Sequence, residues 1–348
     1  MTASASMASL PAIAAIAERG DCQPDALPLA ELCEAAVPVV LRGIARDWSL
    51  VQAGRRSPDE AMALLRTHDS GRILQFSYGA PTIAGRPFYT DDCTALNFDV
   101  QRGSLSMLLD AIASHRDDPQ PPTYYLASLP VDDSLPGLRA ANALDVVADG
   151  NAVQPSIWIG NRVIASCHYD APNNLACCAV GQRRFTLFPP GQIANLYPGP
   201  LEPTPGGQVV SMVDIANPDL QRYPRVAGAL AHAQTAVLEP GDALFIPSMW
   251  WHHVQSLQPF NVLVNYWWSS MPAHLPAPMQ ALYHALWAIR DRPASEKQAW
   301  QALFDYYVFG PAERAGEHLP EQARHVLGPI DPTLARQLRA MLIGRLNR

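Results

Sequence analysis

Lysine is almost absent from this chain. Lys297 is the only one in 348 residues, so 25 basic residues less one lysine leaves 24 arginines. No dense Lys/Arg stripe occurs and the net charge is −7. A nucleic-acid-binding surface normally needs such a stripe, so no nucleic-acid partner is expected. The six cysteines (Cys22, Cys33, Cys93, Cys167, Cys177, Cys178) form no CxxC and show no paired spacing. Cys177 and Cys178 are adjacent in an apolar run, where free thiols pack as small hydrophobes; a reducing compartment follows. No uninterrupted apolar run approaches the roughly twenty residues of a membrane-spanning helix. Met1 to Gly20 carries no basic residue before Arg19, so it lacks the charged start of a secretory signal. A cytoplasmic address without membrane contact is the expectation. No internal repeat marks a solenoid or propeller.

Proline, by contrast, is abundant: 33 residues scattered along the chain favour short strands and many loops. Residues 1–120 mix helix and strand signals. Pro38–Gly43 reads as a short strand closed by a turn glycine. Ser57-Pro58-Asp59-Glu60 reads as a helix start, with proline at the first helical position and acids in the first turn. A turn-rich loop is expected over 79–99. Between about 155 and 270 the texture becomes short β-type runs separated by Gly/Pro turns: 156–159, 175–180, 184–188, 208–213, 235–238, 243–246 and 262–267. That spacing predicts a sandwich or jelly roll. Beyond Pro272 the pattern turns helical. Ser295 and Gln298 read as a capping box, and Asp331-Pro332 as the start of an amphipathic helix carrying Leu334, Leu338, Met341 and Leu342. The fold class is therefore mainly β, in three parts: a mixed α/β region (1–120), a β barrel (121–270) and a helical appendage (271–348).

Within the β region stands Cys167-His168-Tyr169-Asp170. Residues two apart on a strand share a face, so His168 and Asp170 can reach one ion together. Much later a Gly241-Asp242 turn launches an apolar run that ends in Trp250-Trp251-His252-His253. Two histidines and one carboxylate on one face of an octahedron leave three positions open, which suits non-haem Fe(II). Neighbouring strand residues face opposite ways, so only one of His252 and His253 can enter a barrel.

In order, the chain reads HYDxPxN (from His168), GxxRFxLFPP (from Gly181), GDALFIPxxWWHHV (from Gly241) and NxWW (from Asn265). This text resembles the JmjC, cupin-like family of Fe(II)- and 2-oxoglutarate-dependent oxygenases, in its hypoxia-inducible-factor asparaginyl hydroxylase branch. The resemblance covers roughly residues 120 to 268, is fainter around Pro38–Trp48, and does not extend beyond about 275. It implies a double-stranded β-helix whose metal ligands, and catalytic residues, are His168, Asp170 and His252. His253 is then expected outside, half-exposed. The implied co-substrates are 2-oxoglutarate and O2, the implied reaction hydroxylation with release of succinate and CO2, and the implied target a protein or peptide side chain, with a small molecule as the alternative. A homodimer through the C-terminal helices is implied as well.

For the oxoacid's distal carboxylate, this family uses a lysine fifteen residues after the first histidine; Arg183 stands there. Arginine's planar fork can make two parallel charge-assisted bonds to a carboxylate, but it is bulkier. By the same matching, Tyr125 is the phenol on that carboxylate. Asn174 and Asn265 correspond to polar residues lining the site, although buried strand asparagines also serve purely structural ends. Of Trp250, Trp251, Trp267 and Trp268, two are expected in barrel packing and Trp267 beside the cofactor pocket. The family's threonine three residues before the first histidine is Ala165 here, removing one hydroxyl contact. The competing reading is a metal-binding cupin that binds a small molecule or acts without oxidation. Ala165 and the Lys-to-Arg change favour it; the intact triad with a cation at 183 opposes it.

Overall fold

The computed structural model describes residues 11–148 and 150–347; the start of the chain, read above against a secretory signal, lies outside them over 1–10. The chain folds as two compact units, 1–270 and 271–348.

Eight strands form the double-stranded β-helix of the first unit, and we number these β1 to β8. They are β1 (Pro155–Gly160), β2 (Ile164–Tyr169), β3 (Asn173–Val180), β4 (Arg183–Phe188), β5 (Gln234–Leu238), β6 (Ala243–Ile246), β7 (Trp251–Ser256) and β8 (Asn261–Trp268). One sheet runs β5-β4-β7-β2, the other β6-β3-β8-β1. Successive strands thus alternate between sheets except at β4 and β5, which pair side by side in the smaller sheet across the long connection, as in a jelly roll. The N-terminal region extends the second sheet at both edges. Val39–Leu41 pairs with β6, while Thr123–Pro130, Leu74–Gly79 and Asp99–Gly103 continue beyond β1. The expected helix start at Ser57 is present: the hydroxyl accepts from the Glu60 N–H at the head of the helix Pro58–Thr67.

Apolar side chains occupy three layers. Inside the barrel lie Ala176, Cys178, Phe185, Leu187, Leu244 and Leu263. Outside the larger sheet, Leu175, Cys177, Phe245, Val264 and Tyr266 meet Leu50, Leu65, Leu105 and Leu109 from the N-terminal helices. Outside the smaller sheet, Cys167, Phe188 and Trp251 are covered by Leu196, Val213, Val226 and Leu230. With both faces covered, β3 is buried at every residue, so its sequence NNLACCAV shows no polar alternation. Burial raises the thiols of Cys167, Cys177 and Cys178, the last to about 12, which suppresses their reactivity.

Two turns fix the barrel's geometry. Gly181 opens the β3–β4 turn at φ +76°, where a Cβ would lie 2.3 Å from Asn261 Oδ1. Gly241 (φ +102°) leaves no room beside Arg46, and the following Asp242 accepts from Gly43 N (2.8 Å), Glu239 N (3.0 Å) and Arg42 Nη1 (2.6 Å). The Gly-Asp pair therefore ties the N-terminal region to the barrel.

Three expectations need correction. Residues 208–213 form only isolated bridges, Val210 with His168 and Ser211 with Pro198, because they lie along the free edge of β2 within the long β4–β5 connection. The strand carrying the first motif ends at Tyr169, so Asp170 is the first residue past it. The helix Ala294–Phe304 begins before Ser295 with Pro293 at its N-cap and no side-chain cap, so Ser295 and Gln298 make no capping box. At Asp331 the cap is as read: its carboxylate accepts from Thr333 N and Leu334 N ahead of the helix Pro332–Leu346. None of the described helices is long and apolar enough to cross a membrane.

Candidate functional site

β2 and β7 are antiparallel neighbours, and their register sets His168 directly opposite His252. Between Ala165 and His168 the register slips: three steps on β2 match two on β7, from Val254 to His252. The bulged segment is held from outside, where Arg86 Nε donates to Ser166 Oγ at 3.0 Å. The two imidazole rings lie 4.3 Å apart between centroids. Asp170 is held just beyond β2 by Met249, whose backbone N–H donates to the Asp170 carbonyl oxygen at 2.8 Å. Ser248 completes that clamp, its Oγ donating to Ala171 O and its N–H to Asn173 Oδ1. One nitrogen or oxygen from each of His168, Asp170 and His252 lies within 4.8 Å of the others, and among the described residues this is the one such cluster of His, Cys, Asp or Glu.

Both imidazoles are oriented in the same way. His168 Nδ1 is 2.8 Å from Ser166 O and His252 Nδ1 is 3.0 Å from Trp250 O. A carbonyl can only accept, so each Nδ1 carries the hydrogen and each Nε2 keeps a lone pair. Burial, reinforced by His168, pulls His252 down to about 4. At neutral pH it is therefore uncharged, and its approach of 3.6 Å to Asp170 Oδ2 is no ion pair. Two acceptors face each other there with no proton between them. Such an arrangement is favourable only around a cation, and neutral imidazole with carboxylate is the donor set of a 2-His-1-carboxylate iron site.

One cavity holds His168, Asp170 and His252 together with Tyr125, Asn174, Arg183, Asn265 and Trp267. Each of the eight residues assigned to the site from the sequence thus lines it. Arg183 enters from the start of β4 and is only 3% exposed. Its Nε and Nη2 are buried without a partner, burial lowers its basicity, and the Tyr125 phenol interacts with its guanidinium. An isolated buried cation is costly, so a carboxylate is the group this pocket lacks. Arg184, next in the strand, is exposed on the opposite side. Ala165 also lines the cavity, and so does Trp158, which sequence reasoning missed. Three of the four highlighted tryptophans pack elsewhere: Trp250 within the barrel, Trp251 and Trp268 in the two outer layers.

His253 departs from expectation. It does face away from the cavity, but at 3% exposure it is buried and its Nδ1 has no partner. The β4–β5 connection covers it; burial pulls it to about 4, against the favourable field of Asp214. Unfolded imidazoles titrate near 6.5, so between those pH values the unfolded chain binds more protons than the native state. Stability from this group is complete above about pH 6.5 and is lost as pH falls toward 4, by about 3 kcal/mol for His253 alone. We expect the metal-free protein's melting temperature to drop through that window, and His253→Asn to flatten the drop. A profile unchanged by that substitution refutes the assignment.

The sequence profile of the cupin-like domain matches residues 24–274, and the chain belongs to that family, of the JmjC type. Human HSPB1-associated protein 1 is 36% identical over 138 residues, 39% of this chain and 28% of that protein. Lysine-specific demethylase JMJ31 of Arabidopsis thaliana is 33% identical over 173 residues, 46% of this chain and 31% of the relative. tRNA wybutosine-synthesizing protein 5 of Danio rerio is 38% identical over 106 residues, 30% of this chain and 29% of the relative. The aligned part thus spans less than a third of each of these relatives.

Proposed function

We propose that this protein is an Fe(II)- and 2-oxoglutarate-dependent oxygenase that hydroxylates a protein or peptide side chain. The observation that supports it best is the pairing, in one cavity, of opposed metal-type acceptors (His252 Nε2 and Asp170 Oδ2, 3.6 Å) with the unpartnered guanidinium nitrogens of buried Arg183. A cupin acting without an oxoacid has no use for that buried cation. When bound, ferrous iron with 2-oxoglutarate supplies oxidative decarboxylation to succinate and CO2 and delivers one oxygen atom of O2 to a substrate C–H bond. His168, Asp170 and His252 hold the metal, with the carbonyls of Ser166 and Trp250 keeping both imidazoles in the ligating tautomer. Arg183 and Tyr125 bind the distal carboxylate, while Asn174, Asn265 and Trp267 line the wall beside it. The barrel's apolar lining, including Phe185, Ile246, Val254 and Leu263, limits water at the reacting end.

The target class is supported by relatives whose names give a protein association or a lysine-specific demethylase. The net charge of −7 favours a peptide over a tRNA. Six unpaired cysteines support a reducing, cytoplasmic setting. Anaerobic protein given Fe(II) and 2-oxoglutarate should develop a weak visible charge-transfer band, and under air should release succinate. A metal-loaded protein that shows neither removes this reading. Products one oxygen atom heavier, sought by mass spectrometry after substrate trapping, identify the target.

A homodimer belongs to the same proposal. The helices Met279–Ala288, Ala294–Phe304 and Pro332–Leu346 bury no side chain completely. Trp287 is 75% exposed and Leu342 50%. Short isolated helices are marginal in water, so apolar faces of this kind need cover. A two-fold, self-complementary contact through Leu334, Leu338, Met341 and Leu342 would provide it. Light scattering should give twice the chain mass for the wild type and the monomer mass for Leu338→Asp. A monomeric wild type at micromolar concentration rules the dimer out.

A further inference from the structure

Trp158 lies on β1, and its indole forms an edge-to-face contact with Trp267 (5.6 Å, 87°) and a tilted one with Tyr125 (5.9 Å). It thus borders both aromatics that the oxoacid reading places beside the ligand. Its Nε1 donates to Asn265 Oδ1 at 2.7 Å, and Asn265 Nδ2 donates to Asn174 Oδ1 at 3.1 Å. The three side chains stand on neighbouring strands, since β1 pairs with β8 and β8 with β3. An indole N–H can only donate, whereas a carboxamide can present either end. Asn265 must therefore give its oxygen to Trp158, which turns its NH2 toward Asn174. Asn174 must answer with its own oxygen. Among the described residues no acceptor takes the Nδ2 donors of Asn174, which lines the cavity. With a different residue at 158, both amides could flip together and the wall could offer a carbonyl instead.

We propose that Trp158 is a positioning residue that sets the polarity of the co-substrate pocket, forcing the Asn265–Asn174 chain to present N–H donors to an oxygen of an anionic oxoacid. This rests on the oxoacid reading above and deepens it. The donors are ordered before the ligand arrives, so binding does not have to select one of two wall states. Asn174 and Asn265 act as one unit whose direction neither of them determines.

The test is a double-mutant cycle on the full chain, loaded with redox-silent Mn(II) and titrated calorimetrically with 2-oxoglutarate. Trp158→Phe keeps the ring against Tyr125 and Trp267 and removes the N–H. Its 2-oxoglutarate affinity should fall about tenfold, the equivalent of one hydrogen bond to a charged group, with Mn(II) affinity and melting temperature unmoved. Asn265→Asp still accepts from Trp158 but cannot donate to Asn174, which must turn its carbonyl to the cavity. Its affinity should fall further, and adding Trp158→Phe should then change nothing, because the carboxylate already dictates the direction. Losses from packing alone would add in the double variant. Additive losses, or a Trp158→Phe protein that binds like wild type, overturn the inference while leaving the oxoacid reading intact. If wild-type protein shows no saturable 2-oxoglutarate binding, the oxoacid reading itself fails, and this inference with it.

Discussion

Replacing His252 with alanine should weaken binding of a divalent ion by more than about a hundredfold, since altering even an outer-sphere partner of a metal ligand costs ten- to a hundredfold. Alanine at His253 should leave the same affinity within about threefold, because its ring lies on the opposite face of β7 under the β4–β5 connection. Calorimetric titration with Mn(II) measures both. The contrast is sharper than either value, since the two residues are adjacent, similarly buried and similarly reluctant to take a proton. Equal losses in the two variants would mean that disruption of β7, rather than ligand removal, controls the affinity. Loss in His253→Ala alone would place the metal on the wrong face of the sheet. Purified protein is expected to carry zinc or nickel as readily as iron, because nitrogen and oxygen sites bind those ions more tightly.

Arg183→Met should weaken 2-oxoglutarate binding by about 1.5–3 kcal/mol, the range for hydrogen bonds to charged groups, and leave the metal in place. The same substitution should raise, or at least not lower, the melting temperature of the ligand-free protein. Burial already disfavours the charged guanidinium, and two of its nitrogens have no partner. Replacing an unpaired buried cation with an apolar chain of similar length removes a cost that only a bound carboxylate offsets. In a binding residue the affinity falls while the melting temperature holds or rises; in a structural one the melting temperature falls while the affinity holds. A destabilised Arg183→Met protein with unchanged oxoacid affinity would assign Arg183 to the scaffold.

How far the sequence could reach depends on which interactions are local. Short strands between Gly/Pro turns were legible because β1, β3, β4, β5, β6 and β8 each carry β-type residues bounded by turn chemistry. His168 and Arg183 were legible through motif order and a fixed spacing, which the tight Gly181 turn preserves. Residues 208–213 look like a strand by composition, yet pairing needs a free neighbour, and only scattered bridges form there. His253 was misjudged because its cover comes from a connection that runs 189–233, and nothing adjacent to it in sequence reports that. Trp158 gave no signal at all. The role proposed for it depends on an indole N–H that can only donate, a property that acts only when Asn265 and Asn174 stand beside it in the folded sheet.

The slip in register between Ala165 and His168 carries a consequence for how this segment can vary. On a regular strand, residues three apart point to opposite faces, yet Ala165 and His168 both line the cavity. The extra residue shifts the phase of β2 by one step. Were the ladder regular at the present length, His168 would turn toward the outer layer, with Tyr169 swung inward in its place. Deleting Ser166 or Cys167 along with the bulge would instead leave Ala165 and His168 two apart on one face, with His168 still opposite His252. The segment can therefore lose one codon without losing its chemistry: a shorter, unbulged strand would still set His168 against His252, so the ligating face depends on the bulge only at the present chain length.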